Sequence, residues 1–466
     1  MNLLFWRLTM SYSNHFVPPH PKPLPALPAL ARVLWHGDGN LLELMPGEAY
    51  RFDFGNLGYS RRSTVLFNQP ELVREILRDD GSRFPKSDLM VNALEPLIGQ
   101  SIFVTDGARW KRQRGMIDPA FSQLRVSHAF DAMQSAVLDH LGVLDGHADS
   151  GDSFSLDMAM SHLTADVICR TIFSTPLAAG VSSDVFEDFT EFEQSVAQVD
   201  IFRLIFQRAW AKMPQPPGVL AACQRIRGHL GDLVDPHLEN PGAFNDIASD
   251  VIAAKDSDTG EAFTREELID QLGVFFLAGH ETSASALTWV FYLLAEQPAL
   301  VLRLRSELEQ VVGSGPIHFN HVKQLPLVRA VFRETLRLYP PITFIPRVAL
   351  ENCQIGPRKL RRGALVMVSP WTIHRHQRYW GDPDAFIPDR FLAERESSIQ
   401  EGAYIPFGVG PHTCIGAGFA QAEAVLIIAE LVRRFDFSRA DRQPVRPAAR
   451  LTTRPAQQIK LHCRRL

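Results

Sequence analysis

The 466 residues include only five cysteines, Cys169, Cys223, Cys353, Cys414 and Cys463, with no Cys-x-x-Cys pair among them. That scatter excludes a disulfide scaffold and a zinc ribbon, both of which need closely spaced cysteines. An odd, dispersed set fits a reducing compartment, where most cysteines act as small core hydrophobes and one is kept for its sulfur chemistry. Basic excess is also missing: Lys+Arg 48 against Asp+Glu 52 gives a net charge of -4, so no global field is available to hold a nucleic acid backbone. There is no internal repeat, no low-complexity linker and no long run of one charge sign. The N-terminal stretch Met1 to Met10 is apolar but far short of the ~20 residues a bilayer needs. It lacks a small-residue cleavage site as well, so neither a transmembrane anchor nor a secretory signal is expected, and Met10 is an alternative start. Cytoplasmic localisation follows as the expectation.

What is present is a globular composition, 45% hydrophobic and 21% charged, in a chain long enough for one very large core or several smaller ones. Residues Pro18 to Pro28 are proline-rich, stiff and extended, and mark residues 1–29 as an arm preceding a domain over 30–466. Tyr50 to Phe54 alternates, a Gly-Asn-Leu-Gly turn follows, and Ser63 to Phe67 is again β-like, which predicts a hairpin. Most of the rest carries a 3.6-residue period. Helices are expected over Pro70 to Asp79, Ala108 to Met116, Val126 to Leu144, Leu156 to Ser174, Gly218 to Leu238, Arg265 to Glu296, Ala299 to Val312, Pro326 to Tyr339 and Ile415 to Phe435, with irregular β over Ile342 to Val368. The reading is one mainly α domain with a minor β region.

Two places break the ordinary rules of helix and loop. The stretch Arg265 to Glu296 is apolar nearly all round, as in a helix that crosses the middle of a large domain, yet Ala278-Gly279-His280-Glu281-Thr282-Ser283 interrupts it. A mid-helix glycine costs ~1 kcal/mol relative to alanine, and a buried carboxylate costs more unless something uses it. Glycine there permits a local bulge, and a freed carbonyl beside the Thr282 hydroxyl could hold water or dioxygen. The competing reading is a tolerated kink with Thr282 bonded back to the preceding turn. No histidine follows His280-Glu281 at the spacing of the helical zinc proteases.

The second place is Phe407-Gly408-Val409-Gly410-Pro411-His412-Thr413-Cys414-Ile415-Gly416, ahead of a long amphipathic helix. Its glycines and proline allow a sharp turn, and Cys414 falls at the helix start, where free amides and positive potential favour a thiolate. Gly416 leaves room for a flat ligand, and the glycine spacing fails as a phosphate cradle. One thiolate is a poor metal site alone, but it is enough for haem iron, because the porphyrin supplies four nitrogens.

This segment matches Phe-x-x-Gly-x-x-x-Cys-x-Gly and so resembles the haem-binding signature of the cytochrome P-450 family. Ala278 to Ser283 is similar to that family's oxygen-activating helix motif. Glu334-Thr335-Leu336-Arg337, Pro388-Asp389-Arg390-Phe391 and Trp110-Lys-Arg-Gln-Arg114 match further motifs in the expected order, so the likeness runs from about Pro25 to Cys463. The resemblance implies the cytochrome P-450 fold, with haem b (iron protoporphyrin IX) between the long helix and the Cys loop. It implies a monooxygenase that uses O2 on a hydrophobic small molecule, with electrons from a separate redox partner, as in the soluble bacterial members that use a ferredoxin and a ferredoxin reductase. A peroxygenase or non-hydroxylating haem-thiolate enzyme is the alternative, and a haem sensor without turnover a third reading.

By the same resemblance, Cys414 is the axial ligand of the haem iron. Trp110, Arg114, Arg347 and His412 meet the haem propionates, with His412 standing where many members carry Arg, so that its contact is a neutral hydrogen bond. Ala278, Phe407 and Gly416 line the haem. Thr282 orients dioxygen and water at the haem while Glu281 relays protons from outside. Glu334, Arg337 and Arg390 form a buried structural network. Lys111 and Arg112 are read either as a basic patch for an acidic donor or as an ordinary solvated face. Phe275, Thr343 and Phe344 are the pocket candidates, together with Phe103, Phe202 and Phe206, each weighed evenly against core packing. His374 and His376 are read as surface or structural residues, not as a metal pair.

Overall fold

The computed structural model describes residues 15–36, 39–58, 62–196, 208–210 and 215–466. Its axis is the helix Arg265–Ala295, whose start is closed by a capping box: the Thr264 hydroxyl accepts the Glu267 amide while the Glu267 carboxylate accepts the Thr264 amide. Apolar residues on every side need partners on every side. Helices Leu156–Phe173, Pro217–Glu239, Asp88–Ile98, Pro326–Leu338 and Ala417–Arg434 all pack against it. The helix is continuous through Gly279, so the expected bulge is absent. The glycine has a packing cause instead: a Cβ at 279 would lie 2.4 Å from Ile168 Cδ1, so any side chain there would force Ile168 on helix Leu156–Phe173 to move. Among the described residues no single helix is long and apolar enough to cross a membrane.

The β structure is small and peripheral. A four-stranded sheet has the order β1-β2-β7-β4, built from Phe54–Asn56, Thr64–Phe67, Leu365–Val368 and Ile345–Val348. β1 and β2 form the expected hairpin with Phe54 opposite Phe67, although Tyr50 belongs to a 3-10 turn, Gly47–Tyr50, rather than to the strand. β2 and β7 run parallel and are buried along their whole length. An isolated bridge joins Lys86 to Arg347 of β4, bringing two distant basic residues together. Strand β10, Thr453–Pro455, is clamped to the central helix because the Thr453 carbonyl accepts both Ser285 Oγ at 2.8 Å and Trp289 Nε1 at 2.7 Å.

The arm expected over residues 1–29 needs correction in its described part. Helix Ala26–His36 crosses that boundary, with Ala29 and Val33 buried. Pro28 falls in the first turn, where its missing N–H costs nothing. Upstream, the chain is tied to the body: Tyr339 Oη donates to the Pro19 carbonyl at 2.7 Å and the Phe386 amide to the Phe16 carbonyl at 2.9 Å. Other helix ends lie within a few residues of expectation. Helices Asp88–Ile98, Val181–Val196 and Ile247–Ala253 were not expected; the first holds Pro96, whereas the second has a helical apolar stripe, Val185, Phe186, Phe189 and Phe192, all buried, that the sequence reading passed over.

Candidate active site

The Cys414 loop is shaped by two left-handed glycines, Gly408 and Gly410, with φ of 76° and 84°. At Gly410 a Cβ would sit 2.4 Å from the Leu77 carbonyl oxygen, so no other residue fits. The loop closes on itself through the Cys414 amide, which donates to the Phe407 carbonyl at 2.9 Å. Arg114 ties it to the domain by donating Nη1 to the Thr413 carbonyl at 2.7 Å. The following helix begins at Ala417 with Gly416 as its cap. Cys414 therefore sits in the turn before the helix rather than in its first turn, which corrects the expected electrostatics. Enclosure by protein raises the thiol's pKa, against the lowering effects of the Gly416 amide and the Arg114 charge. The thiol is nevertheless accessible through an internal opening, whereas Cys169, Cys223 and Cys463 are buried and Cys353 is half-buried. A coordinated metal deprotonates a thiol outright, which is the stabilisation that the loop alone does not supply.

A second exposed surface lies inside the molecule. In a central helix buried almost throughout, Ala278, Gly279, Thr282 and Ser283 are half-exposed. Thr282 Oγ1 donates to the Ala278 carbonyl at 2.7 Å, the back-bond foreseen as the competing reading. Ser283 Oγ donates to Glu423 Oε2 at 2.5 Å and joins the central helix to the helix that follows Cys414. The opening is thus bounded by the two segments singled out in the sequence.

Cations gather at one edge of this opening. Trp110 is buried with its ring 4.0 Å from that of His412. Around them stand Arg114, Arg347 and a residue missed in the sequence, Lys86, whose Nζ donates to the carbonyls of Ile102 at 2.9 Å and Thr105 at 2.5 Å. Burial pushes the Lys86 ammonium down to about 7, Arg347 repels it further, and Asp106 opposes both. His412 is held down to about 3 by burial and by the charges of Lys86, Arg347 and Arg114, so its ring is neutral as expected. Its Nδ1 is buried without a hydrogen-bond partner. Mutually repelling cations and an orphaned ring nitrogen mark a place for an anion. Lys86 lacked any motif, and only the bridge to Arg347 reveals it.

In the Glu334 cluster the Glu334–Arg337 pair is fully satisfied, while Arg390 Nε has no hydrogen-bond partner. Arg337 donates Nε to Glu334 Oε2 at 2.7 Å and Nη2 to Oε1 at 2.8 Å, and its remaining hydrogens reach the carbonyls of His374, Pro383 and Ala385. Arg390 Nε is 3.5 Å from Glu334 Oε1. His374, Arg375 and His376 are buried, not on the surface. His374 Nε2 accepts the Ile405 amide at 2.8 Å, just upstream of the Cys loop, and burial holds the ring down to about 3, so it is a neutral structural acceptor.

Comparison with known proteins agrees with this geometry. The family model described as Cytochrome P450 matches residues 20–462. The chain belongs to the cytochrome P450 family. It is 29% identical over 423 residues to a cyclooctatin synthase of Streptomyces melanosporofaciens, covering 88% of this chain and 86% of the relative. It is 27% identical to a pentalenene oxygenase of Streptomyces avermitilis, covering 84% and 86%. The crystal structure of the cytochrome P450DA heme domain superposes with a TM-score of 0.77 at 22% identity, covering 96% of this chain and 97% of that one, which supports the fold. The protein is accordingly a haem-thiolate monooxygenase of mainly α architecture. The open thiol, the orphaned His412 nitrogen and the cationic edge fit a haem with its two carboxylates.

The P450 pocket candidates separate. Phe275 is buried and meets Phe121 edge to face at 5.1 Å, a packing contact. Thr343 is buried, with its carbonyl accepting Ser369 Oγ at 2.9 Å. Phe344 and Phe103 are half-buried and retain free surface. Phe202 and Phe206 lie outside the described residues. Arg112 is engaged by Glu267 at 3.0 Å and Asp256 at 3.7 Å, which leaves exposed Arg109 and Lys111 as the basic surface of its helix. Glu281 turns away from Thr282: its carboxylate is held by Arg454 and Thr452, two residues with no sequence signal.

Proposed function

We propose that this P450 oxygenates a terpenoid-class lipophile in the cytoplasm, with electrons from a separate ferredoxin and ferredoxin reductase. The observation that carries the reading is the accessible Cys414 thiol together with Ala278, Gly279, Thr282 and Ser283, which keep free surface in an otherwise buried central helix. Terpenoid chemistry among the related monooxygenases supports the substrate class, and half-exposed Phe103 and Phe344 suit an apolar molecule. A bound haem would supply dioxygen activation and oxygen-atom transfer, and Cys414 would hold its iron through the thiolate sulfur.

The chain's own residues have distinct tasks. Trp110 Nε1, Arg114, Arg347, Lys86 and neutral His412 would hold the two haem carboxylates and so complete the unsatisfied edge. Ala278 on one side and Gly416 and Phe407 on the other leave space for a planar ring. Thr282 Oγ1, pinned to the Ala278 carbonyl, presents its lone pairs to water in the opening, and the Glu281 carboxylate, held as the anion by Arg454 and Thr452, passes on to that water the protons that reach it. The joint acid and alcohol favour dioxygen over peroxide as oxidant.

The spectrum of the reduced, carbon monoxide-bound protein tests the thiolate, and absence of the thiolate-type Soret shift overturns it. Product labelled from isotopic dioxygen rather than from peroxide separates monooxygenase from peroxygenase. Spin-state titration with terpenes, steroids, fatty acids and aromatics tests the substrate class. A donor screen in which only a membrane flavoprotein reductase supports turnover overturns the ferredoxin assignment.

A further inference from the structure

Behind the central helix lies a second cluster of titratable groups. Atoms of Glu193, His280 and Glu281 able to bind a proton or a metal lie within 4.8 Å of one another. Glu193 comes from helix Val181–Val196, the other two from the central helix. The charged groups facing them are Arg454 from β10 and, at the start of helix Leu156–Phe173, Asp157; the remaining neighbours of His280 are the rings of Phe186, Phe189 and Phe276.

Hydrogen-bond accounting determines where the proton in this cluster sits. Glu281 receives Arg454 Nε on Oε1 at 3.0 Å, Arg454 Nη2 on Oε2, and Thr452 Oγ1 on Oε1 at 2.5 Å. A carboxylate saturated by donors is the anion, and its pKa is lowered despite burial. His280 Nδ1 lies 2.9 Å from the Phe276 carbonyl, which accepts and so fixes the hydrogen on Nδ1. Burial lowers the His280 pKa, so the ring is neutral and its Nε2, 3.5 Å from Glu193 Oε1, carries a lone pair and not a hydrogen. Glu193 Oε1 is buried and receives no hydrogen bond. Two carboxylates share one guanidinium that is already committed to Glu281 and Asp157. Glu193 is therefore the member that is protonated, with acceptors and no donors ahead of it; burial and the Glu281 charge both raise its pKa. It is also the outermost, its side chain 19% exposed against 2% for His280 and 5% for Glu281.

We propose that Glu193 is the proton-entry residue of this enzyme, a positioning residue that takes protons from solvent and hands them to Glu281. In the step, the O–H bond of the Glu193 carboxylic acid breaks and one forms on a Glu281 carboxylate oxygen. The charge of the pair is unchanged by this transfer; Glu281 then releases the proton to the water beside Thr282, and Glu193, left as carboxylate, takes a replacement proton from solvent, so that one proton has crossed and the pair is back in its starting state. The inference rests on the reading of Glu281 and Thr282 as the proton-delivery pair.

The test uses haem-loaded enzyme driven by NADPH, a ferredoxin reductase and a ferredoxin. Glu193→Gln removes the transferable proton at constant shape. It is expected to slow reductant consumption about tenfold, to enlarge the solvent deuterium isotope effect, and to abolish the fall in rate as pH rises through the Glu193 pKa. Glu193→Asp restores part of the rate. Independently of turnover, infrared difference spectra of the wild type contain a protonated carboxyl band that Glu193→Gln removes and Glu423→Gln leaves in place. A wild-type rate and isotope effect in Glu193→Gln overturn the proposal. So does stoichiometric zinc in the purified wild type that is lost in the variant, since that would make the cluster a metal site. If Glu281→Gln slows consumption while Glu193→Gln does not, only this inference fails. If neither does and the thiolate spectrum is intact, the Glu281 reading fails with it.

Discussion

Two buried charge clusters flank the opening of this P450, and they differ in how completely they are satisfied. Within the Glu334–Arg337 pair every carboxylate oxygen and guanidinium hydrogen finds a partner, several of them backbone groups from the loop between His374 and Ile387, with Arg390 Nε alongside left without one. Around Trp110 the cations of Lys86, Arg114 and Arg347 repel one another, and His412 Nδ1 has no partner. A closed cluster uses its charges to hold the chain together. An open one keeps its charges for a ligand the chain does not contain, at a cost in stability until that ligand binds.

The comparison can be broken at several points. Cys414→Ser removes the group on which the site depends, and its expected effect is the largest: loss of the thiolate-type carbon monoxide spectrum and of monooxygenation, with haem content measured alongside. In the closed cluster, Arg337→Ala strands a buried Glu334 carboxylate and is expected to cost about 3–5 kcal/mol. The check is denaturant unfolding of haem-free protein, and a change below ~1 kcal/mol would make the cluster unimportant to the fold.

The open cluster should respond in the opposite way. Arg347→Ala relieves repulsion in the haem-free chain and leaves its unfolding midpoint unchanged or raised. Haem affinity falls by about 10- to 100-fold, the value of one charge-assisted hydrogen bond of ~1.5–3 kcal/mol. Equal damage to haem-free stability and to haem binding would erase the distinction.

The pH dependence tests an intermediate case, Glu423, with Oε2 bonded by Ser283 and Oε1 unpartnered. Burial pushes its carboxyl up to about 8 from 4.5. The folded state therefore holds a proton that the unfolded state has lost between those values. This contribution is fully present below pH ~4.5 and is lost as pH rises through about 8, at up to ~1.4 kcal/mol per unit. Glu423→Gln flattens that slope, as thermal unfolding between pH 5 and pH 9, a range set by the ~1.4 kcal/mol per unit expected, would record.

Legibility in the sequence followed the kind of interaction. The hairpin, the long helix and the Glu334–Arg337 pair depend on neighbours in sequence or on a regular period, and they were readable to within a few residues. Gly279 was correctly singled out but for the wrong cause, because what excludes a side chain there is Ile168, 111 positions away in the chain. His374 was read as surface or structural, and it is structural; nothing local announces the Ile405 amide that it accepts.

The sequence by itself determined the family and the haem-thiolate chemistry, since these rest on an ordered set of short motifs. Only the tertiary structure decided which charges are satisfied. Lys86 reaches Arg347 through an isolated strand bridge, Arg454 reaches Glu281 because β10 is clamped to the central helix, and Glu193 reaches His280 from a helix carrying no motif. The physical reason is that desolvation and Coulomb energy depend on distance and enclosure in space, and neither quantity is written in the spacing of residues along the chain.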